Sequence, residues 1–343
     1  MCPRSVLADA WIEGDLCEAR WARIQPHLSH IEHLHLQGWG EPLLHPRIAD
    51  MAGEASAAGC SVGLTTNADL LDEARDWIVS GVVDVLAVSL AGGEEWNRRL
   101  RDRASSDAVL GELERLAQAR RRRGKPRIHL TYLLTRENSG ELVGTVRAAA
   151  AAGVDSILVN HLDCVPSEEL REHRAYSASG VPQPVREDLE RARRTADDLG
   201  IDLRLPAMEP QEMLTCALDP RRMASVRWDG AVAPCVHLNL PVSSPIPRAT
   251  DAGVIEISPY RYGKLDEAPL SEILNGVSRH EFAAPFIRRC KADDSFRGQG
   301  LPTSSWGAVA LSDLDRAYDA LERELALNPF PAACRECPKI EGW

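Results

Sequence analysis

From residue 30 onward the chain alternates short β-branched or leucine-rich runs with helical segments, the signature of repeated βα units around a parallel sheet. The expected strands are His33–Gln37, Ser61–Thr65, Val83–Leu90, Arg127–Leu134, Ser156–Asn160 and Ile201–Leu205. Helical patterning falls between them at Arg47–Ala58, Leu70–Val79, Asp107–Arg122, Leu142–Ala152 and Val185–Leu199. Glycines at Gly53–Gly59, Gly81, Gly124–Pro126 and Gly153 mark the loops, where glycine closes a helix before the next strand. No fixed-period motif recurs, so the repeat is structural rather than textual.

After about residue 206 the texture changes. Pro206, Pro210, Pro220, Pro234, Pro241, Pro245 and Pro247 break the periodicity, and Cys216, Cys235, Cys334 and Cys337 gather there. A length of 343 residues, against about 150 per domain, fits this division into residues 1–205, an α/β unit, and 206–343, a loop-rich unit that a metal could staple. One helix returns at Ser312–Leu325, whose stripe of Leu314, Ala317, Ala320, Leu321 and Leu325 predicts core packing.

Composition narrows the partners. With 51 acidic against 40 basic residues the formal charge is −11, so no broad basic surface is offered to a nucleic-acid backbone, and no nucleic-acid partner is expected. The longest apolar stretches fall short of the roughly 18–20 residues that span a bilayer. The N-terminal region carries Asp9, Glu13 and Asp15 in place of an apolar signal core. A soluble, cytoplasmic protein with no membrane partner is expected. Nine cysteines, an odd number spread along a long unsecreted chain, point to thiol or metal chemistry rather than a disulfide scaffold.

The segment Leu36-Gln37-Gly38-Trp39-Gly40-Glu41-Pro42 follows the first expected strand, at the carboxyl edge where parallel α/β proteins bind ligands. Gly38 and Gly40 allow close backbone approach, Pro42 stiffens the exit, and Glu41 offers a carboxylate to a cation. The plainer reading is a βα turn, since a G-x-G pair without a third glycine is weak. Thr65-Thr66-Asn67 and Ser89 with Ala91-Gly92 end the next two strands, and on adjacent strands their donors would converge on one polar ligand. His27, His30, His33 and His35 have no carboxylate or cysteine at zinc spacing, which favours ordinary rim and strand histidines. In the second unit Cys216, Gly230 with Cys235, and Cys334-Arg335-Glu336-Cys337 supply four thiols; sulfur-only ligation suits an iron–sulfur cluster or structural zinc. A redox thiol pair and four unconnected buried thiols are the alternatives. Cys17, Cys60 and Cys164 read as buried small hydrophobes.

Taken together, these motifs resemble radical S-adenosylmethionine enzymes with a SPASM or twitch-type C-terminal extension, and the likeness covers essentially the whole chain. In that family the glycine-rich strand-end motif meets the methionine amino group, so the resemblance assigns Gly38, Gly40, Glu41, Pro42, Asn67, Ser89 and Arg101 to the cofactor. It assigns Cys216, Cys235, Cys334 and Cys337 to an auxiliary cluster, with Cys290 as an alternative ligand. Full SPASM domains use about seven cysteines for two clusters, whereas these suffice for one. Met1-Cys2-Pro3-Arg4-Ser5 is similar to the tail of the family's C-x-x-x-C-x-x-C loop, which binds the catalytic [4Fe–4S] cluster, and this makes Cys2 a metal ligand. Five of the strands above count as barrel strands where the family has six. The implied fold is therefore a partial (βα)6 TIM-like barrel lacking its first strand and most of the cluster loop, followed by a small cysteine-rich domain. A late-assigned start is the expected reason, and a chain so lacking is expected to be inactive as it stands.

The implied activity of the complete form is that of a radical maturase, most similar to those linked to tungsten-cofactor oxidoreductases. Its implied cofactors are S-adenosylmethionine and a [4Fe–4S] cluster, its implied substrate a protein, peptide or cofactor, and its implied electron donor a ferredoxin or flavodoxin. Modification of a ribosomal precursor peptide is the alternative within the same superfamily. A non-catalytic iron–sulfur or zinc binding protein is the alternative outside it. No catalytic side chain is assigned.

Overall fold

The computed structural model describes residues 1–101, 105–120, 124–243, 245–298 and 311–343. They divide into two compact units, the first comprising Met1–Pro210, Leu240–Ile257 and Trp343, the second Gln211–Asn239 and Ser258–Gly342. The division is thus not one cut at residue 205, because Leu240–Ile257 returns to the first unit.

All six expected strands form in the first unit: β1 (His33–Leu36), β2 (Ser61–Thr66), β3 (Val85–Leu90), β4 (Arg127–Leu134), β5 (Ser156–His161) and β6 (Asp202–Arg204). They make one sheet in sequence order, every neighbouring pair parallel. Each pair is joined through helix: Ile48–Ala57, Leu71–Trp77, Ser106–Arg120, Leu142–Ala151 and Gln183–Leu199 lie where the periodicity predicts them. Gly53 falls inside the first of these helices rather than in a loop. Gly200 closes the last of them at φ 69°, a left-handed position that glycine takes without steric cost.

The core lies on one face of the sheet. Leu64, Leu86, Val88, Ile128, Leu130, Ile157 and Val159 occupy alternate strand positions and pack with Leu71, Ile78, Leu113, Leu116, Val146 and Leu189 from the helices. The residues between them, including Thr65, Ser89, Thr131 and Asn160, face the other side and are more polar. The start of the sheet is tied by two aspartates: Val62 N donates to Asp84 Oδ2 at 2.9 Å and Ile128 N to Asp155 Oδ2 at 2.7 Å. The returning segment forms an antiparallel hairpin, Ile246–Thr250 with Gly253–Ile257, fastened by Ala249 N donating to Val165 O at 2.7 Å and by an Arg174–Asp251 ion pair.

The second unit is less loop-rich than its prolines suggest. Three short antiparallel strands, Ser225–Val226, Ala231–Ala233 and Gly263–Lys264, form a small sheet. A 22-residue helix, Val277–Gly298, was not expected; it tolerates Pro285 and buries Phe282, Ala283, Phe286 and Arg289. The predicted C-terminal helix spans Leu311–Leu327, but its stripe is not core. Ala320 is exposed, while Ala317, Leu321 and Leu325 are only half-buried. The side chain of Leu314 lies outside the described residues.

One-sided burial sets an expected ranking of substitutions. Leu130→Ala, at a fully buried position, should cost about 2–5 kcal/mol and lower the urea midpoint of the first unit. Thr131→Ala, one residue along on the polar face, should move it far less.

Candidate functional site

Parallel pairing puts the carboxyl ends of β1, β2 and β3 side by side, and the segments leaving them make the rim where the predicted cofactor residues meet. The turn after β1 is built on Glu41. Its backbone begins a 3-10 turn, Pro42–Leu44, with Pro42 at the first helical position, where its missing N–H costs nothing. The Glu41 side chain caps this turn, Oε1 accepting from Leu43 N at 3.1 Å. The same carboxylate reaches across to the end of β2: Oε1 accepts from Thr66 Oγ1 at 2.7 Å and Oε2 from Asn67 N at 2.8 Å. A carboxylate presents about four acceptor positions. Three are filled from within the protein and one, on Oε2, stays open.

The two glycines of the turn show the opposite economy. A Cβ on Gly40 would meet nothing within 4 Å, and one on Gly38 only Gly40 N at 3.9 Å. Neither has a positive φ. Nothing in the chain itself therefore demands glycine there, although glycine carries an entropic cost. The bare backbone leaves room for something else to approach. Cys2 lies beside this turn, its Sγ 4.0 Å from Trp39 O.

The other rim residues are held by donors and acceptors from neighbouring segments. Asn67 closes on Asp69, with Nδ2 donating to Oδ2 at 3.0 Å and its Oδ1 accepting from Asp69 N at 3.0 Å. Ser89 stands opposite Thr131 of β4 and is nearly buried. Beyond it, Ala91 N donates to Asn97 Oδ1 at 3.3 Å, and Ala91 O accepts from Asn138 Nδ2 at 3.1 Å. Gly92 holds φ 121°, a conformation strained for any side chain, and a Cβ there would also stand 3.2 Å from Trp96 Cβ, so the chain itself favours glycine at this position. The side chain of Arg101 lies outside the described residues. The histidines behave as strand residues. His35 Nε2 pairs with Thr65 Oγ1 at 2.7 Å, and its ring leaves no space for a side chain on Gly63. Burial, with His33 beside it, pushes His35 down to about 4.

A second group of functional side chains lies wholly in the second unit. Cys216, Cys235 and Cys337 act on one another electrostatically. Cys216 faces the N–H groups of Leu218 and Asp219, and Cys235 those of Leu238 and His237. Paired backbone donors favour a thiolate, while burial opposes it more strongly, pushing Cys235 up to about 12. Cys334 and Cys337 are brought together by a tight turn in which Cys337 N donates to Cys334 O at 3.1 Å and Glu336 takes φ 58°. Cys290 sits apart, against Arg221 and Asp219. Among the described residues no three His, Cys, Asp or Glu side chains converge tightly enough to share one ion. Tetrahedral thiolates on zinc lie only about 2.3 Å from the metal, whereas a polynuclear cluster distributes its thiolates over several irons. Of the three cysteines read as buried hydrophobes only Cys60 is buried, donating to Leu28 O at 3.0 Å; Cys17 is exposed and Cys164 half-buried.

Comparison with known proteins bears on the second unit through a family match and on the fold through solved structures. Residues 216–295 match the SPASM family, an iron–sulfur cluster-binding domain, a match that includes Cys216, Cys235 and Cys290 and stops short of Cys334. The chain is 28% identical over 214 residues to the tungsten-containing aldehyde ferredoxin oxidoreductase cofactor-modifying protein of Pyrococcus furiosus, covering 59% of this chain and 56% of that one. It thus spans little more than half the length of that relative. Its fold is similar to that of Streptococcus suis SuiB bound to S-adenosylmethionine, with a TM-score of 0.55 at 12% identity, covering 78% of this chain and 60% of that one. SuiB bound to the precursor peptide SuiA gives 0.55 at 11% identity, covering 79% and 60%. Native anSMEcpe with bound AdoMet gives 0.53 at 14% identity, covering 93% and 92%. No helix among the described residues is long and apolar enough to cross a membrane.

The rim predicts a divergence between neighbouring residues. Glu41→Gln turns an amide N–H toward Asn67 N–H and should cost about 1–3 kcal/mol of stability. Gly40→Ala should change it by no more than about 0.5 kcal/mol. Thermal unfolding of the two variants checks both.

Proposed function

We propose that this chain, a radical S-adenosylmethionine-type α/β protein carrying a SPASM domain, binds S-adenosylmethionine on the β1–β3 rim and an iron–sulfur cluster in its second unit, and serves in the maturation of a cofactor or peptide. The observation that carries the reading is the turn after β1. Its glycines leave their Cβ positions open, and Glu41 keeps one acceptor position beside them.

The residues present fit the methionine end of the cofactor. An ammonium group carries three donors and no acceptor, and the free position on Glu41 Oε2 accepts one of them. The backbone at Gly38 and Gly40 admits the ligand without a side chain to displace. Thr66 and the Asn67 N–H hold the carboxylate still, so binding does not have to pay for ordering it. Pro42 fixes the exit of the turn, and the Ser89 hydroxyl and the Asn67 amide, held by Asp69, add polar groups along the same edge; Arg101, the remaining residue that the resemblance assigns to the cofactor, has its side chain outside the described residues. S-adenosylmethionine held here would supply radical chemistry once given an electron, and these residues would hold and orient its methionine end. The protein's share is to position, to tune and to exclude water. Among the described residues Cys2 is the thiol that lies at the turn. A cluster with one open iron needs three, so Cys2 alone does not fit it, and no step is derived through that cluster.

In the second unit the fit is better. Cys216, Cys235, Cys334 and Cys337 supply four thiols, two of them facing backbone N–H donors of the kind that stabilise cluster sulfurs. Thr215, immediately before Cys216, and Tyr262 each bury a hydroxyl oxygen that has no hydrogen-bond partner within the protein. A [4Fe–4S] cluster is the group we assign there, with a ferredoxin or flavodoxin as the class of electron donor.

Between the two substrate classes, the homologue that modifies an oxidoreductase cofactor favours a maturase for a tungsten enzyme. The neighbour bound to a precursor peptide keeps peptide modification as the second reading.

Two measurements test this. Equilibrium dialysis with S-adenosylmethionine should show binding that Gly40→Ala weakens at least tenfold, or about 1.4 kcal/mol. Equal binding by the variant returns the segment to a plain turn. After anaerobic reconstitution the chain should hold iron and sulfide in equal amounts, and Cys216→Ala or Cys337→Ala should lose the corresponding absorbance and loosen the second unit. Full metal content in both variants removes the thiol assignment and leaves a binding protein of another kind.

A further inference from the structure

Tyr262 is an uneconomical residue where it stands. It is 7% exposed, and its ring lies edge-on to Phe282, with centroids 6.1 Å apart, and to Tyr260 at 6.3 Å. Its backbone is fixed by Tyr262 N donating to Val232 O at 2.7 Å, on the strand that leads through Pro234 to Cys235. A phenylalanine would fill the same space. The hydroxyl is buried and has no hydrogen-bond partner among the described residues, an arrangement that ordinarily costs a protein stability.

What surrounds the hydroxyl gives the reason for it. Burial pushes the ionisation of this phenol upward and the Arg279 guanidinium opposes it; Cys235, Tyr260 and Cys334 also lie within electrostatic reach, the two thiols coming from opposite ends of the second unit's sequence. A buried hydroxyl with no partner among the described residues, on a residue bonded to the strand that leads to Cys235, is a donor available to a group held by these thiols.

We propose that Tyr262 is a positioning and tuning residue whose O–H donates a hydrogen bond to a sulfur of the cluster held by Cys216, Cys235, Cys334 and Cys337, raising its reduction potential. This rests on the cluster assignment made above. A hydrogen bond to a cluster sulfur stabilises the reduced, more negative state over the oxidised one, and such bonds are among the terms that set cluster potentials. The proton stays on the tyrosine throughout; only the electron count of the cluster changes.

The test compares the wild-type chain with Tyr262→Phe after anaerobic reconstitution, using iron and sulfide content and a redox titration followed by electron paramagnetic resonance. Iron and sulfide should be unchanged. At a fixed applied potential the reduced-to-oxidised ratio should fall about tenfold in the variant, a shift of about 59 mV to more negative potential for a one-electron couple. In the metal-free chain the variant should unfold at the same or a higher temperature than wild type, because an unpaired buried hydroxyl has been removed. An unchanged potential with the cluster in place overturns the proposal. So does loss of the cluster from the variant, which would make Tyr262 an assembly residue. A wild-type chain that takes up no cluster overturns the underlying assignment instead, and that outcome is read from iron and sulfide before any potential is measured.

Discussion

Everything at the rim depends on the strict alternation of the parallel strands, which commits every second residue to the helices and leaves the rest to the other face. Leu86, Val88 and Leu90 go one way along β3, and Ala87 and Ser89 the other. Once the first set is buried against the helices, a slip of one residue would bring serine and threonine into the core, so the register is strongly specified. The strand ends are thereby fixed to one edge, and the short segments beyond them inherit a common location.

Within that edge Glu41 joins one strand end to the next. It is a cap for its own turn and an acceptor for Thr66 and Asn67, so it ties β1 to β2 at the point where a ligand would arrive. A residue that builds the rim and, on the proposed reading, also meets the ligand cannot be exchanged without touching both roles. Gly38 and Gly40 carry no such structural duty, and this makes them the cleaner probes of binding.

Much of this was legible in the sequence, and the exceptions have physical causes. Six strands and the helices between them follow from period-two and period-3.6 patterning, which survives because each element buries one face. Val277–Gly298 went unseen because Pro285 breaks the pattern that Phe282, Phe286 and Arg289 otherwise make. The Leu311–Leu327 stripe was visible, but a stripe reports only what could be covered, and here Ala320 is left to solvent. At the site, the residue types of the G-x-G-E-P turn were plain. Their partners were not, since Thr66 reaches Glu41 from the end of another strand, and Asn97 and Asn138 reach Ala91 from segments outside the sheet. A lone tyrosine in a proline-interrupted stretch gives no sequence signal at all; only its unpaired hydroxyl singles out Tyr262.

The left-handed residue in the C-x-x-C turn has a consequence of its own. Glu336 holds φ 58°, a conformation that side-chain-bearing residues seldom adopt, and it does so between two cysteines. Such a bend persists only when its surroundings insist on it. Fastening Cys334 and Cys337 to a common centre would supply that insistence, and releasing them would let the backbone relax. Amide hydrogen exchange at Cys337, whose N–H is bonded across the bend to Cys334, would register such a release.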